Sequence, residues 1–200
     1  MTELMVSALR AAVRGKGYAW FDKGDYNVNL VGIRRSKKDS KAYDHSFTCS
    51  YKVRGVWRFH HWACTTDPGE KYLTSPINAE GAAILVPGQY RGAYQIGKHF
   101  SKYALVQRGK VSVFRDNNRD SVVDYGPHKE AGWFGINIHK SSVSLSESAS
   151  AASAGCQVFA SWSEHDALLD ICREARRRWG DKFTYTLIGE RDLTTAILGS

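Results

Sequence analysis

WFGINIH, residues 133–139, and SAGCQVFA, residues 153–160, set the reading of this chain. Both runs are apolar enough to be strands, and each carries one chemically capable side chain, His139 at the end of the first and Cys156 within the second. The Ser/Ala-rich stretch 140–153 between them reads as a loop. A histidine that ends a strand can project past the sheet edge. Ser153, Ala154 and Gly155 are small enough for the backbone to turn tightly and approach a ligand closely. A thiol attacks only as thiolate, and with a free pKa of about 8.5 it gains from an imidazole that takes its proton. The pair is therefore a candidate nucleophile and base, with the amides of Gly155 and Cys156 as donors to a developing oxyanion.

Outward from this pair the chain is β-rich. The runs 27–35, 47–53, 55–64, 82–87 and 103–107 are β-branched or aromatic and lie between Gly, Pro and Asp/Asn breaks. KVSVF (110–114) and SVVDYG (121–126) flank RDNNRD and predict a hairpin, and 182–188 closes as a strand. Two segments keep helical spacing. The first is the N-terminus, capped by Thr2, with Leu4, Met5, Ala8, Leu9, Ala12 and Val13 on one face and Gly15 as its stop. The second is 163–179, with Ser163 and Asp166 as a variant capping box and arginines at 173 and 176–178 near its C-terminal end. The fold class expected is mostly β, α+β, with helices packed on the strands.

A net charge of +8 and a pI near 9.4 favour a polyanionic partner, whether nucleic acid, an anionic membrane face or an acidic cell envelope. No aromatic sheet signature, KH loop or basic heptad supports a nucleic-acid module. No apolar run reaches the roughly 18 residues of a membrane span, and the N-terminus lacks signal-peptide architecture, so synthesis in the cytoplasm is expected. The four cysteines are widely spaced, which argues against a zinc ribbon; Cys49 reads as a core strand position and Cys172 as a buried small hydrophobe.

The order of residues around His139 and Cys156 resembles the catalytic signature of L,D-transpeptidases, the YkuD-type cysteine enzymes of peptidoglycan. There a strand carrying Gly-Ile-His leads through a loop to Ser/Thr-His-Gly-Cys, then an apolar stretch, a helix and a closing strand. The matching residues are Gly135, Ile136, His139, Ser153, Gly155 and Cys156, followed by QVFA, the 163–179 helix and FTYTLI. The order of elements matches over 85–190, and the motif itself lies within 133–159.

The resemblance implies an L,D-transpeptidase-like β-sandwich or barrel forming a single catalytic domain over 1–200, with 1–84 an N-terminal helix and β-rich part and 85–190 the transpeptidase-like part. It makes Cys156 the nucleophile, His139 the base and the Gly155–Cys156 backbone the oxyanion hole, with Ser153 supporting the loop; Ser153 and Asn137 are also candidates to contact substrate. It implies attack on the carbonyl of an L-centre in a peptide stem, with no cofactor or metal. Three positions depart from the pattern: Ala154 where the family has His, Gln157 where Arg or Asn is usual, and Lys140 where a small residue is often found. With no export signal in evidence, the implied activity is that of a phage-type endolysin. Such an enzyme hydrolyses peptidoglycan after release through a membrane lesion, or is carried by a virion. The alternatives are an L,D-transpeptidase proper, a catalytically decayed wall-binding virion protein, and a zinc hydrolase using His139 and Cys156.

Other features read more plainly. Asp116, Asn118, Asp120 and Asp124 have the spacing that opens a calcium loop, but Ser121 and Pro127 stand where Gly and Glu are needed, so a polar turn is expected. His60 and His61 fall on opposite faces of a strand and cannot pair on one metal; His99, His128 and Cys64 are the other conceivable ligands. His128 reads as a solvated turn residue near the cleft. Tyr90, Arg91 and Tyr94, in a Gly- and Tyr-rich segment, are candidates to hold glycan or a carboxylate, and the arginines of 173–178 read as a solvated face.

Overall fold

The computed structural model describes residues 1–36, 41–126, 129–142, 148–150 and 152–198; His128 and Pro127 lie outside them. Eight strands close a barrel and three form a separate small sheet. The barrel strands, in chain order, are β1 (Asn29–Arg34), β2 (His45–Val53), β3 (Val56–Thr65), β5 (Gly88–His99), β6 (Lys102–Gln107), β9 (Ile138–Lys140), β10 (Gln157–Phe159) and β11 (Phe183–Gly189). The small sheet is β4 (Ala82–Leu85), β7 (Val111–Asp116) and β8 (Lys129–Gly132). The helices are α1 (Thr2–Gly15), α2 (Glu70–Thr74), α3 (Trp162–Trp179) and α4 (Glu190–Leu198). The chain is thus mostly β with flanking helices, as its composition and spacing suggest.

Around the barrel the order is β1-β11-β5-β6-β9-β10-β3-β2, so strands from both halves of the chain share one sheet. β1 is buried along its whole length because each face has a cover. Leu30 faces the barrel core with Phe47, Cys49, Tyr94 and Tyr185, while Val31 and Ile33 pack outward with Val6, Leu9 and Val13 of α1. α3 adds Leu168, Leu169, Cys172 and Ala175 to the barrel core. Gly32 is required there, since a Cβ would lie 1.9 Å from the Tyr185 hydroxyl.

Several expectations are corrected. Residues 121–126 form no strand, and β7 pairs instead with β4 and β8. Side chains in the intervening turn capture its own polar groups: Asn118 Nδ2 donates to Asp120 and Asp124, and the Asp124 amide donates to Asp116. Strand pairing stops at residue 116 and Val123 turns into a small cluster with Leu73, Ala82 and Ile84. β5, the longest strand, was hidden by Gly92 and Gly97, which weaken a strand signal. Of 133–139 only the last two residues are strand. α1 has Met1 rather than Thr2 at its N-cap, and its buried face is Val6, Leu9, Ala12 and Val13, leaving Leu4 72% exposed. Ser161, not Ser163, caps α3, with no capping-box hydrogen bond. α4, not foreseen, lays Leu193 and Ala196 against the α1 cluster.

Candidate functional site

Parallel pairing of β9 with β10 brings the two reactive residues together. The Gln157 amide donates to the Asn137 carbonyl at 2.8 Å, and Val158 lies opposite His139, so Cys156 and His139 sit at the same end of neighbouring strands. Both line one cavity of about 480 Å³, together with His99, Lys102, Phe134, Lys140 and Ala154.

The turn before Cys156 is held from several sides. Ser153 Oγ donates to the Cys156 carbonyl at 2.7 Å and accepts the Gly155 amide at 3.0 Å. Ser153 is buried, its hydroxyl spent within the turn, so it supports the loop and does not line the cavity. The Gly155 amide, expected to face an oxyanion, is committed to Ser153. The Gly69 amide donates to the Ser153 carbonyl and the Lys71 amide to the Ser150 carbonyl, which ties the loop to the start of α2. Gly155 has φ of +124°, and a Cβ there would lie 2.1 Å from the Ala83 carbonyl oxygen. Gly155→Ala is expected to cost at least about 1–3 kcal/mol in backbone strain alone and to displace the turn. Urea unfolding and the alkylation rate of Cys156 both report it; an unchanged protein by both measures would contradict the assignment.

The Cys156 thiol donates to the Gly135 carbonyl at 3.3 Å, and its sulfur accepts the Asn137 amide at 3.4 Å. Burial pushes its pKa up to about 11, opposed by the Asn137 amide. His139 donates from Nδ1 to the Lys140 carbonyl at 2.8 Å when that nitrogen carries the proton, which leaves Nε2 unprotonated. Burial, and then the neighbouring His99, His165 and Lys102, pull its pKa down to about 4, with the Lys140 carbonyl working the other way. Thiol and imidazole are both neutral at rest.

His165, buried on α3 with Nε2 toward the Ile138 carbonyl, is also pulled down to about 4, chiefly by burial. An unfolded histidine titrates near about 6.5. Between pH 6.5 and 4 the unfolded chain therefore binds protons that the native state refuses at His139 and His165. Stability falls as pH drops through that window and stays lowered beneath it. Melting temperatures from pH 7.5 to 4 are expected to decline accordingly, and a flat profile would contradict the two buried neutral imidazoles.

The remaining sequence candidates separate. Asn137 accepts the Gln107 amide at Oδ1, 2.9 Å, and contacts His99 Nδ1 through Nδ2 at 3.0 Å. Tyr90 donates to the Val86 and Ser112 carbonyls, and Arg91 lies over Phe21 beside a different cavity, so neither borders Cys156. Tyr94 is fully buried in the barrel core and is not placed to hold a ligand. Lys140 is drawn to Asp166 at 2.7 and 2.9 Å, and Gln157 is an interior residue whose Oε1 accepts the Tyr185 hydroxyl. His60 stacks between Tyr51 and Trp62, whereas His61 bonds Ser46 on the outer face. Cys49, Cys64 and Cys172 are buried. Arg173 and Arg177 pair with Asp170 and Glu174 on their own helix. Among the described residues no three His, Cys, Asp or Glu side chains come together as a metal-holding group.

Sequence reasoning missed His99 as part of the site. It is the last paired residue of β5, opposite Lys102 across a two-residue hairpin whose Phe100 has φ of 53°. Its ring stacks on His139 with centroids 4.3 Å apart. The signal that marked His139, an imidazole ending a strand, also marks His99 once β5 is seen as a strand.

No protein-family model, curated protein or solved structure matches this chain.

Proposed function

We propose that this protein is a cysteine acyl-transfer enzyme that cleaves peptide stems of peptidoglycan, with Cys156 as nucleophile, His139 as general base and water as the usual acceptor. The observation that carries the reading is the shared cavity: Cys156 Sγ and His139 border the same space, and the Lys140 carbonyl leaves His139 Nε2 free to take a proton. Because both groups rest neutral, the proton moves as the thiol attacks rather than beforehand. Sγ bonds to the scissile carbonyl carbon while its proton passes to His139 Nε2. Collapse of the tetrahedral intermediate breaks the C–N bond, and His139 returns the proton to the leaving amine. Water, deprotonated by the same nitrogen, then attacks the thioester carbon; the C–S bond breaks and the departing Sγ takes the proton back from His139.

The choice of peptidoglycan is supported by the His139-to-Cys156 motif and its resemblance to L,D-transpeptidases, and by a charge of +8 that suits an anionic envelope. An L,D-transpeptidase-like arrangement of the barrel and a phage-type lytic role belong to the same proposal. A second reading, exchange onto an amine, is favoured by a cavity of about 370 Å³ that shares Tyr72, Ile77, Phe134 and Ala154 with the first and offers room for an acceptor. Mass spectrometry of muropeptides from sacculi treated with the protein tests both. Shortened stems with a freed terminal amino acid support hydrolysis, and amine-joined products support exchange. Unaltered sacculi overturn the proposal.

A further inference from the structure

We propose that His99 is a second catalytic side chain of this site, a neutral imidazole whose Nε2–H hydrogen-bonds the acyl oxygen as the tetrahedral intermediate forms. The inference rests on the Cys156–His139 reading and supplies the group that reading lacks. Acyl-transfer sites stabilise the developing oxyanion with preorganised donors, often two. Here the Gly155 amide is spent on Ser153 Oγ and the Asn137 amide on Cys156 Sγ. Of the two amides expected to face the oxyanion, only that of Cys156 is left, so the nucleophile turn is one donor short of a pair.

The tautomer of His99 follows from a chain of contacts. The Gln107 backbone N–H can only donate, so the Asn137 side-chain atom it meets at 2.9 Å is the oxygen. The other end of that amide is therefore NH₂, and it meets His99 Nδ1 at 3.0 Å. Nδ1 must accept, which puts the proton of the neutral ring on Nε2. Burial lowers the pKa of His99, and a proton on Nδ1 would face the Asn137 N–H head-on. Both effects keep the ring neutral.

The two stacked imidazoles are thus set in opposite senses. His139 gives its Nδ1–H to Lys140 and keeps Nε2 as an acceptor; His99 accepts at Nδ1 and keeps Nε2–H as a donor. Both border the cavity that holds the thiol, one as base and one as electrophile. When His139 takes the thiol proton it becomes a cation 4.3 Å from the His99 ring, so a second cation there would be repelled. During attack the carbonyl π pair moves onto oxygen and is held by Nε2–H. On collapse the pair returns, and His99 keeps its proton throughout. Ala154, with only a methyl on the cavity wall, leaves that wall open to the acyl group.

His99→Phe keeps a flat ring against His139 and removes the N–H. Two reactions of Cys156 are timed: acylation by an N-acetyl dipeptide thioester, and alkylation by iodoacetamide, which needs the thiolate but no oxyanion donor. Acylation is expected to slow by about 10²–10³-fold, with alkylation within about threefold of wild type. Nitrogen NMR of histidine-labelled wild type at pH 7 is expected to show His99 neutral with its proton on Nε2. In Asn137→Asp the carboxylate accepts from Nδ1 instead, so the proton moves there and acylation falls relative to alkylation. Equal slowing of both reactions in His99→Phe, unchanged acylation in that variant, or a wild-type His99 protonated on Nδ1 would each overturn the proposal. Wild-type Cys156 that alkylates but never acylates would overturn the Cys156–His139 reading, and this inference with it.

Discussion

Cys156→Ala is expected to abolish muropeptide release from purified sacculi while leaving the fold intact. The argument separates two properties of one side chain. Chemically, Sγ is the only atom that bonds to substrate in the proposed route, and removing the nucleophile from a comparable hydrolase lowers kcat on the order of 10⁶-fold. Structurally, Cys156 lies on a cavity wall, and among the described residues its sulfur makes two long hydrogen bonds, to Gly135 and Asn137. The turn is held instead by Ser153 and Gly69, which the substitution does not touch. The change in stability should therefore stay within about 1 kcal/mol. Release measured by mass spectrometry and melting measured by circular dichroism decide the matter: retained turnover would remove Cys156 from the mechanism.

The largest expected loss of stability comes from a residue outside the cavity. Arg34 on β1 and Asp67 in the segment after β3 form a buried ion pair at 2.9 Å. Arg34 also donates to the Leu85 and Thr66 carbonyls and to Thr66 Oγ1, and Asp67 accepts the Tyr125 hydroxyl. One network thus joins the barrel, the small sheet and the strap that leads to Gly69 and the nucleophile loop. Asp67→Ala leaves a guanidinium buried without its counter-charge, at a cost of about 3–5 kcal/mol. For a chain of this size that lowers the melting temperature by about 6–20 °C. The double variant Arg34→Met with Asp67→Leu should recover part of the loss, because it leaves no buried charge without a counter-charge, although the Leu85 and Thr66 carbonyls still lose the donor that Arg34 supplies. A single variant that melts like wild type would show the pair to be dispensable. Because the strap holds Ser153, the single variant should also slow Cys156 acylation below its melting temperature.

Local signals served well where they were complete within a few residues. β1, β2 and β3 were legible because NLVGIR, HSFTCSYKV and VWRFHHWACT are dense in β-branched and aromatic side chains. Cys156 was picked out by its glycine and small neighbours and His139 by the apolar run it closes, although β9 runs one residue past it to Lys140. The hairpin expected over 110–126 failed because adjacency in sequence was taken for pairing. β7 found β4, more than twenty residues away, on one side and β8, which begins at Lys129, on the other. β5 escaped because glycines that let it pass close to neighbouring strands also erase its pattern: a Cβ at Gly97 would lie 2.6 Å from Val106.

The amino-acid sequence by itself determined the class of fold, the core positions of Cys49 and Cys172, and the choice of Cys156 and His139 as candidates for chemistry. These follow from local properties: side-chain period, backbone freedom and the reactivity of thiol and imidazole. Tertiary structure alone decided which strands pair, that His99 rather than Tyr90 or Arg91 stands beside the pair, and that Gly155 spends its amide on Ser153. It also decided that Asn137 fixes an imidazole, and that Arg34 and Asp67 lock the strap beneath the nucleophile turn. The physical reason is that strand pairing is non-local. A period of two says which face a residue takes but not which strand lies opposite, and a hydrogen bond between residues 38 positions apart, such as Asn137 to His99, exists only once the barrel has closed.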